Sequence, residues 1–332
     1  MHKTIFVTGA DGFIGSHVVE ALVAAGHRVR ALTLYNSFGR WGWLDQLDAR
    51  VLKAVEVIAG DVRDAALVRR AMQGSDTVVH LAALIGIPYS YLAAQSYVDT
   101  NVSGTLNVLQ AARELGVAKL IHTSTSEVYG SAQQVPIDEG HRLLAQSPYA
   151  ATKIAADQLA LAYHASYGLP VIVLRPFNTY GPRQSARAVI PTVISQLAGG
   201  ACEVKLGALD PTRDFNFVAD TVAAFCAALD CTQYGEVINV GSGFEIAIGD
   251  VARMIAAIMR KDAQIVCDAA RVRPPASEVQ RLAANADKAR HLLVYAPRYG
   301  GRDGLQRGLE ATVDWFIRPA NLAWYRSDHY TV

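Results

Sequence analysis

No surplus of charge of either sign marks this chain. It carries 31 Lys and Arg against 30 Asp and Glu, a formal net charge of +1. Binding a phosphate backbone needs a basic excess, so nucleic acid is not an expected partner. Cysteine is scarce, with four in 332 residues. Cys202, Cys226, Cys231 and Cys267 form no CxxC pair and have no histidine at zinc spacing. They read as free thiols in a reducing, cytoplasmic compartment, with no metal expected. No run of about 18 apolar residues argues for a transmembrane helix, and no basic amphipathic stretch suits a membrane surface. The start of the chain runs straight into an apolar strand and lacks the three-part pattern of a signal peptide. Internal repeats and low-complexity tracts are also missing.

What is present is apolar content, 51% of residues, enough for a large core and one or two domains. Short apolar runs at residues 3–8, 27–34, 55–59, 77–81, 118–122 and 171–174 alternate with helical patterns. Long helices are expected at 97–115 and 147–167, closed by Gly116 and Gly168. Strand alternating with helix predicts an α/β fold, a Rossmann doubly wound parallel sheet covered on both faces. After residue 175 prolines break the rhythm, and helices are expected at 188–198, 219–229 and 248–259. We read 1–175 as a dinucleotide-binding domain. Residues 176–319 read as a smaller, partly discontinuous α/β substrate region with segments returning to the first domain, and 320–332 as a tail.

Gly9, Ala10, Asp11, Gly12, Phe13, Ile14 and Gly15 lie between the first strand and first helix. Glycines there permit a tight turn and close approach of a pyrophosphate, which the helix N-terminus then attracts. The spacing is GxxGxxG, and its strand–turn–helix context gives it weight. An acid for the adenosine ribose is expected about 20 residues further on. Thr33 to Ser37 contains none. Its absence removes repulsion toward a 2′-phosphate, and Asn36, Ser37 or Arg40 would hydrogen-bond one. That leans toward NADP, although an uncharged pocket also accepts NAD. Asp61, with Val62 beside it, follows the third strand toward the adenine, and Asp64 reads as a helix cap. Leu81, Ala82 and Ala83 would line the cofactor, while His80 reads as structural.

Tyr149 and Lys153 stand four apart on one helix face. An ammonium near a phenol favours the phenolate, so Tyr149 is a candidate general base toward an alcohol. Thr125, Ser126 and Glu127 follow the fifth strand and would project into the same crevice, because ligands bind at the carboxyl ends of parallel strands. Trp41 and Trp43 form an unusual pair in a loop, read as packing or as a cover for the cofactor.

These segments resemble the extended short-chain dehydrogenase/reductases of the NAD(P)-dependent sugar-nucleotide epimerase/dehydratase family. The motifs are GADGFIG (9–15), HLAAL (80–84), TSTSEVYG (123–130), YAATK (149–153) and RPFNTYGPRQ (175–184). KLGALDPTRDFNFVAD (205–220) and RPPASEVQRLAANADKARHLL (273–293) resemble the substrate-side segments. The resemblance implies a tightly held, recycled NAD or NADP, contacted also by Pro176, and a nucleoside-diphosphate sugar as substrate. It assigns Asn178, Arg213 and Arg273 to the diphosphate, with Val189 and Lys205 bordering the base and Arg183 and Arg187 as weaker candidates. It also implies a homodimer built through a four-helix bundle from the two long helices.

TSTSEVYG resembles GDP-mannose 4,6-dehydratases, which have Ser-Glu where dTDP-glucose dehydratases have Asp-Glu. LYNSFGRWGWLDQLD (34–48) and NTYGPRQSARAVIPT (178–192) are similar to the 4,6-dehydratases of legionaminic acid-type pathways, suggesting a GDP- or UDP-linked N-acetylhexosamine. A 4-epimerase needs only a base at the sugar hydroxyl, whereas a dehydratase needs a second group near C5 and C6, and Glu127 is the candidate. UDP-glucuronate decarboxylase is an alternative, for which Arg183, Arg187 or Arg213 would meet the carboxylate. A non-catalytic dinucleotide sensor is a remote alternative, disfavoured by the joint presence of Glu127, Tyr149 and Lys153.

Overall fold

The computed structural model describes residues 2–325. Six short apolar segments form strands β1 (Thr4–Thr8), β2 (Arg28–Leu34), β3 (Val55–Gly60), β4 (Thr77–His80), β5 (Lys119–Thr123) and β6 (Val171–Pro176). Beyond β6 come β7 (Asn178–Tyr180), β8 (Glu203–Leu206), β9 (Thr212–Phe217) and β10 (Glu236–Val240). The last are β11 (Glu245–Ala247), β12 (Gln264–Cys267) and β13 (Arg281–Leu282). The main sheet is seven-stranded in the order β10-β6-β5-β4-β1-β2-β3, and every pairing is parallel.

Alternation within each strand feeds two separate cores. Ile5 and Val7 of β1, Val79, Ile121, Ile172 and Leu174 join one core, which includes Val18, Val19 and Leu22 of the helix Phe13–Ala24. Phe6, Val78, Leu120, Val171 and Val173 face a second core with Val68, Met72, Val108 and Leu109. Both faces are therefore covered, as an all-parallel sheet requires. This is the Rossmann-type α/β architecture read from the sequence.

Helix Pro148–Tyr167 starts at the Ser147 hydroxyl, which accepts the Ala150 N–H at 3.1 Å, and ends at Gly168 in the left-handed conformation. The other long helix departs from expectation. It runs as α-helix over Ala94–Tyr97, widens into a π turn at Val98–Ser103, and resumes as α-helix over Gly104–Glu114. Inside the π turn Asn101 points inward. It accepts the Leu84 N–H at 2.8 Å and donates to the Leu84 carbonyl at 2.9 Å and the Thr152 hydroxyl at 3.1 Å. The wider turn accommodates a polar side chain that ties the helix to the chain after β4.

The region after β6 builds its own small sheets. β9 pairs antiparallel with β11 and parallel with β7 and β13, and β8 pairs with β12. Helices Val189–Ala198, Val218–Ala228 and Ile248–Ile258 lie within a residue of their expected positions. β10 crosses back to the edge of the main sheet beside β6. At the C-terminal end, Trp43 packs against Trp315, Trp324 and Tyr325, with ring centroids 5.6, 5.3 and 6.2 Å apart. Residues 326–332 of the expected tail lie outside the described residues. Among the described residues no helix is long and apolar enough to cross a membrane, and the four cysteines are free.

Candidate active site

The glycine turn is dictated by crowding. Gly9 has φ +64°, and a Cβ there would lie 2.7 Å from the Ala82 backbone nitrogen. At Gly15 a Cβ would drive into the Gly9 carbonyl. Gly12 is exposed, and a Cβ there would meet the Gly9 carbonyl at 3.3 Å. Gly12 also caps the helix Phe13–Ala24 with no side-chain hydrogen bond, leaving its first N–H groups directed outward. A bare cradle of this kind fits a pyrophosphate. Phe13 and Ile14 sit half-buried behind it, and Val62 is buried.

Thr8 ties the turn to the end of β4. Its hydroxyl accepts the N–H groups of Leu81 and Ala82 at 3.2 and 3.1 Å and bonds His80 Nδ1 at 2.8 Å. His80 Nε2 meets the Thr105 hydroxyl at 3.0 Å, a structural role as expected. Leu81, Ala82 and Ala83 are half-buried along this edge. Asp61 is held by Arg63 at 2.6 Å, which keeps its carboxyl below the usual range, beside an open cavity of about 520 Å³ lined also by Asp64, Asp99 and Ser103. Asp64 caps the next helix by accepting the Leu67 N–H at 3.0 Å.

The loop after β2 does not assemble an anion cradle. The Asn36 amide donates to the Arg40 carbonyl at 2.7 Å and accepts the N–H groups of Phe38 and Arg40, each at 3.2 Å. Arg40 pairs with Asp45 at 3.8 Å, and Ser37 is exposed. These side chains serve the loop itself.

Beyond β5, Thr125 caps the short turn Ser126–Tyr129, its hydroxyl accepting the Glu127 N–H at 3.2 Å. Ser126 and Glu127 are buried. Tyr149 is buried at the start of its helix, where Thr125 hydrogen-bonds its phenol and the Tyr97 ring meets it edge-on at 6.3 Å. Lys153 donates to the Thr123 carbonyl at 2.6 Å. Burial pushes Lys153 down to about 8, opposed by Asp157. The expected lowering of the Tyr149 pKa is not what this arrangement produces. Burial lifts the phenol well above its ordinary value, the Thr125 hydrogen bond opposes the rise, and the Glu127 charge adds to it. The physical reason is dehydration of the phenol, with the Lys153 ammonium engaged by a backbone carbonyl.

A buried ion pair under this helix escaped the sequence reading. Asp157 accepts from Arg175 Nε and Nη2 at 3.1 and 2.9 Å and from the Ser124 hydroxyl at 2.7 Å. Its signal was the Tyr149, Lys153, Asp157 spacing of four, which puts all three on one face. Pro176, at the end of β6, is buried just beyond Arg175.

On the substrate side, buried Arg213 of β9 donates to Glu278 at 3.1 Å, and Arg273 lies 3.7 Å from the same oxygen. Glu127 supports the Arg213 charge electrostatically, although burial is the larger effect and depresses it. Glu127, Arg213, Arg273 and Glu278 thus form one cluster, of which Glu278 was missed. Asn178 carries a buried side-chain oxygen with no partner among the described residues. Val189 is half-buried at its helix start, while Lys205 is exposed on β8. Arg183 is committed elsewhere, to Glu20 at 2.6 Å, and Arg187 is exposed.

A phosphate turn after β1 and a Tyr–Lys helix after β5, on one parallel sheet, place the molecule among the extended short-chain dehydrogenase/reductases. The family model for GDP-mannose 4,6 dehydratase matches residues 6–308. A dTDP-glucose 4,6-dehydratase of Actinoplanes sp. is 33% identical over 326 residues, covering 97% of this chain and 99% of that protein. The dTDP-glucose 4,6-dehydratase DesIV of Streptomyces venezuelae, solved with NAD bound, superposes with a TM-score of 0.85 at 31% identity, over 97% of this chain and 99% of that one. A UDP-glucuronic acid 4-epimerase of Bacillus cereus, solved with UDP-glucuronic acid and NAD, gives 0.85 at 30% identity over 96% and 99%. The chain belongs to the GDP-mannose 4,6 dehydratase family.

Proposed function

We propose that this chain is a nucleotide-sugar 4,6-dehydratase of the cytoplasm, converting a GDP- or UDP-linked N-acetylhexosamine into its 4-keto-6-deoxy product. The observation that carries the reading is the buried Glu127, electrostatically coupled to both Tyr149 and Arg213. A base for a sugar hydroxyl thus has a second proton-transfer group beside it, as elimination across C5 and C6 requires.

The bare glycine turn, the Ala82–Ala83 edge, Tyr149 and Lys153 would hold a nicotinamide dinucleotide. When bound, that group supplies the hydride acceptor and donor, and the positive charge of its oxidised ring favours a neighbouring phenolate. Tyr149, with Thr125, takes the O4 proton as C4 is oxidised. Lys153 adds positive charge on the same helix face below pH about 8. The 4-ketone acidifies the C5 proton, which Glu127 removes. Ser126 lacks a carboxyl group, so Glu127, alone or through a water, also delivers the proton to the departing 6-hydroxyl; the hydride lost from C4 would then return to C6 and a proton to C5, completing the 4-keto-6-deoxy sugar. Arg213, Arg273 and Asn178 hold the diphosphate, and bidentate guanidinium contacts suit that charge.

The likeness to a 4-epimerase supports a second reading, in which Glu127 binds rather than transfers protons. A decarboxylase reading loses Arg183, which is paired with Glu20. Mass spectrometry of purified protein with UDP-, GDP- and dTDP-sugars separates the readings. Loss of one water supports dehydration, an isobaric product supports epimerisation, and loss of carbon dioxide supports decarboxylation.

A further inference from the structure

The end of β2 lacks an acidic residue of its own, yet a carboxylate stands there. β1 and β2 are adjacent and parallel, with Thr8 opposite Leu32. The turn leaving β1 therefore lies beside the last residues of β2. Asp11 reaches across, and its Oδ2 accepts the Leu34 N–H at 3.2 Å. This is the place in a dinucleotide fold where the adenosine ribose meets the protein.

Asp11 is fixed in position from above. The Trp43 N–H donates to the Asp11 carbonyl at 3.0 Å. Gly42, with φ +57°, passes so close that a Cβ there would lie 2.6 Å from that carbonyl and 3.0 Å from the Asp11 Cβ. Trp43 is in turn packed among Trp315, Trp324 and Tyr325. The tryptophan loop, for which the sequence offered packing or a cover for the cofactor, packs behind this turn through Trp43.

The surrounding charges favour one ligand form. No Lys or Arg pairs with Asp11 among the described residues. Arg40, the cation nearest in sequence to the end of β2, is paired with Asp45, and Asn36 is folded onto its own loop. Among the described residues, a 2′-phosphate at this position would meet a carboxylate without an ion-pair partner, and the nearby Arg40 is already paired. A 2′-hydroxyl would find an acceptor.

We propose that Asp11, from the phosphate turn and not from β2, is the residue that selects NAD over NADP, accepting a hydrogen bond from the adenosine ribose and repelling a 2′-phosphate. The proposal rests on the dinucleotide-binding reading but not on the dehydration chemistry. It also reverses the lean toward NADP drawn from the missing acid after β2.

The test is competitive retention. Purified full-length protein is equilibrated with equal NAD⁺ and NADP⁺, freed of unbound nucleotide, denatured, and the released dinucleotides are quantified by mass spectrometry. Wild type is expected to retain NAD⁺ in large excess. Asp11→Ala and the near-isosteric Asp11→Asn are expected to reduce the NAD⁺/NADP⁺ ratio by about tenfold or more, the scale of removing one like-charge contact. Comparable retention of both dinucleotides by wild type overturns the proposal, as does an unchanged ratio in Asp11→Asn. Wild type is decisive even where Asp11→Ala fails to fold. An altered ratio without water loss from any sugar nucleotide upholds Asp11 and sinks the dehydratase reading. Water loss with an unchanged ratio does the reverse.

Discussion

Glu127 sits where three charges have to be reconciled. It raises the cost of ionising Tyr149, supports the buried Arg213, and is itself buried on a short turn fixed by Thr125. A carboxyl group in that position is suited to proton transfer. In Glu127→Gln, C4 oxidation should survive and elimination should fail. Water loss should drop by ~10²–10⁴-fold, the usual range for an acid–base group. Absorbance of the reduced nicotinamide should meanwhile accumulate on mixing with substrate. Water loss at the wild-type rate would assign C5 chemistry to another group.

Lys153 gives a residue-scale prediction with a definite sign. Burial lowers it from 10.5 to about 8 in the folded protein. Between those values the unfolded chain holds a proton that the folded chain lacks. Unfolding free energy therefore gains a contribution as pH rises from about 8 toward 10.5, and below 8 the folded protein bears the full cost of a buried ammonium. Chemical denaturation at a series of pH values should show this rise in wild type and its loss in Lys153→Met. Parallel profiles for the two proteins would place the ammonium in contact with water.

At the scale of elements, what could be read in the sequence was what short-range pattern determines. Strands such as β4 and β6 were visible because strands buried on both faces are nearly continuous apolar runs, and Gly9 and Gly15 were visible because crowding there admits no side chain. Helix Pro148–Tyr167 announced itself through Ser147, Pro148 and Gly168. The π turn at Val98–Ser103 left no such mark, because its cause is Asn101 bonding to Leu84, 17 positions away. Glu278 escaped for the same reason, and so did the reach of Asp11, already placed in the phosphate turn, to the end of β2. Their partners Arg213 and Leu34 are brought to them by pairing across sheets and not by spacing along the chain. Asn101 also offers a test at this scale. Asn101→Ala strands the Leu84 N–H and carbonyl and should cost about 1–3 kcal/mol, the price of unsatisfied buried groups. It should lower the denaturation midpoint, while an unchanged midpoint would mean that the π turn is set by other contacts.

At the scale of the whole molecule, the two long helical segments carry apolar side chains that stay exposed among the described residues. Val98 and Leu106 are exposed with Val102 half-buried between them, at helical spacing of four. On the helix Pro148–Tyr167, Ala151 and Ala162 are exposed and Ala155 and Leu159 are half-buried, a mostly small, apolar outer strip. Ridge and strip side by side suit packing against a second copy turned by a two-fold axis, since each ridge then meets a strip and the surface is self-complementary. The result would be a four-helix bundle. The cofactor turn and Tyr149 lie at the carboxyl ends of the strands, so this pairing leaves the crevice open. Light scattering at micromolar concentration should give twice the chain mass of 35.7 kDa. Leu106→Glu puts a charge on the ridge without touching the buried core, and should shift the protein toward monomer while its melting remains cooperative. A wild-type monomer at that concentration, or a Leu106→Glu dimer as tight as wild type, would move the interface away from these helices.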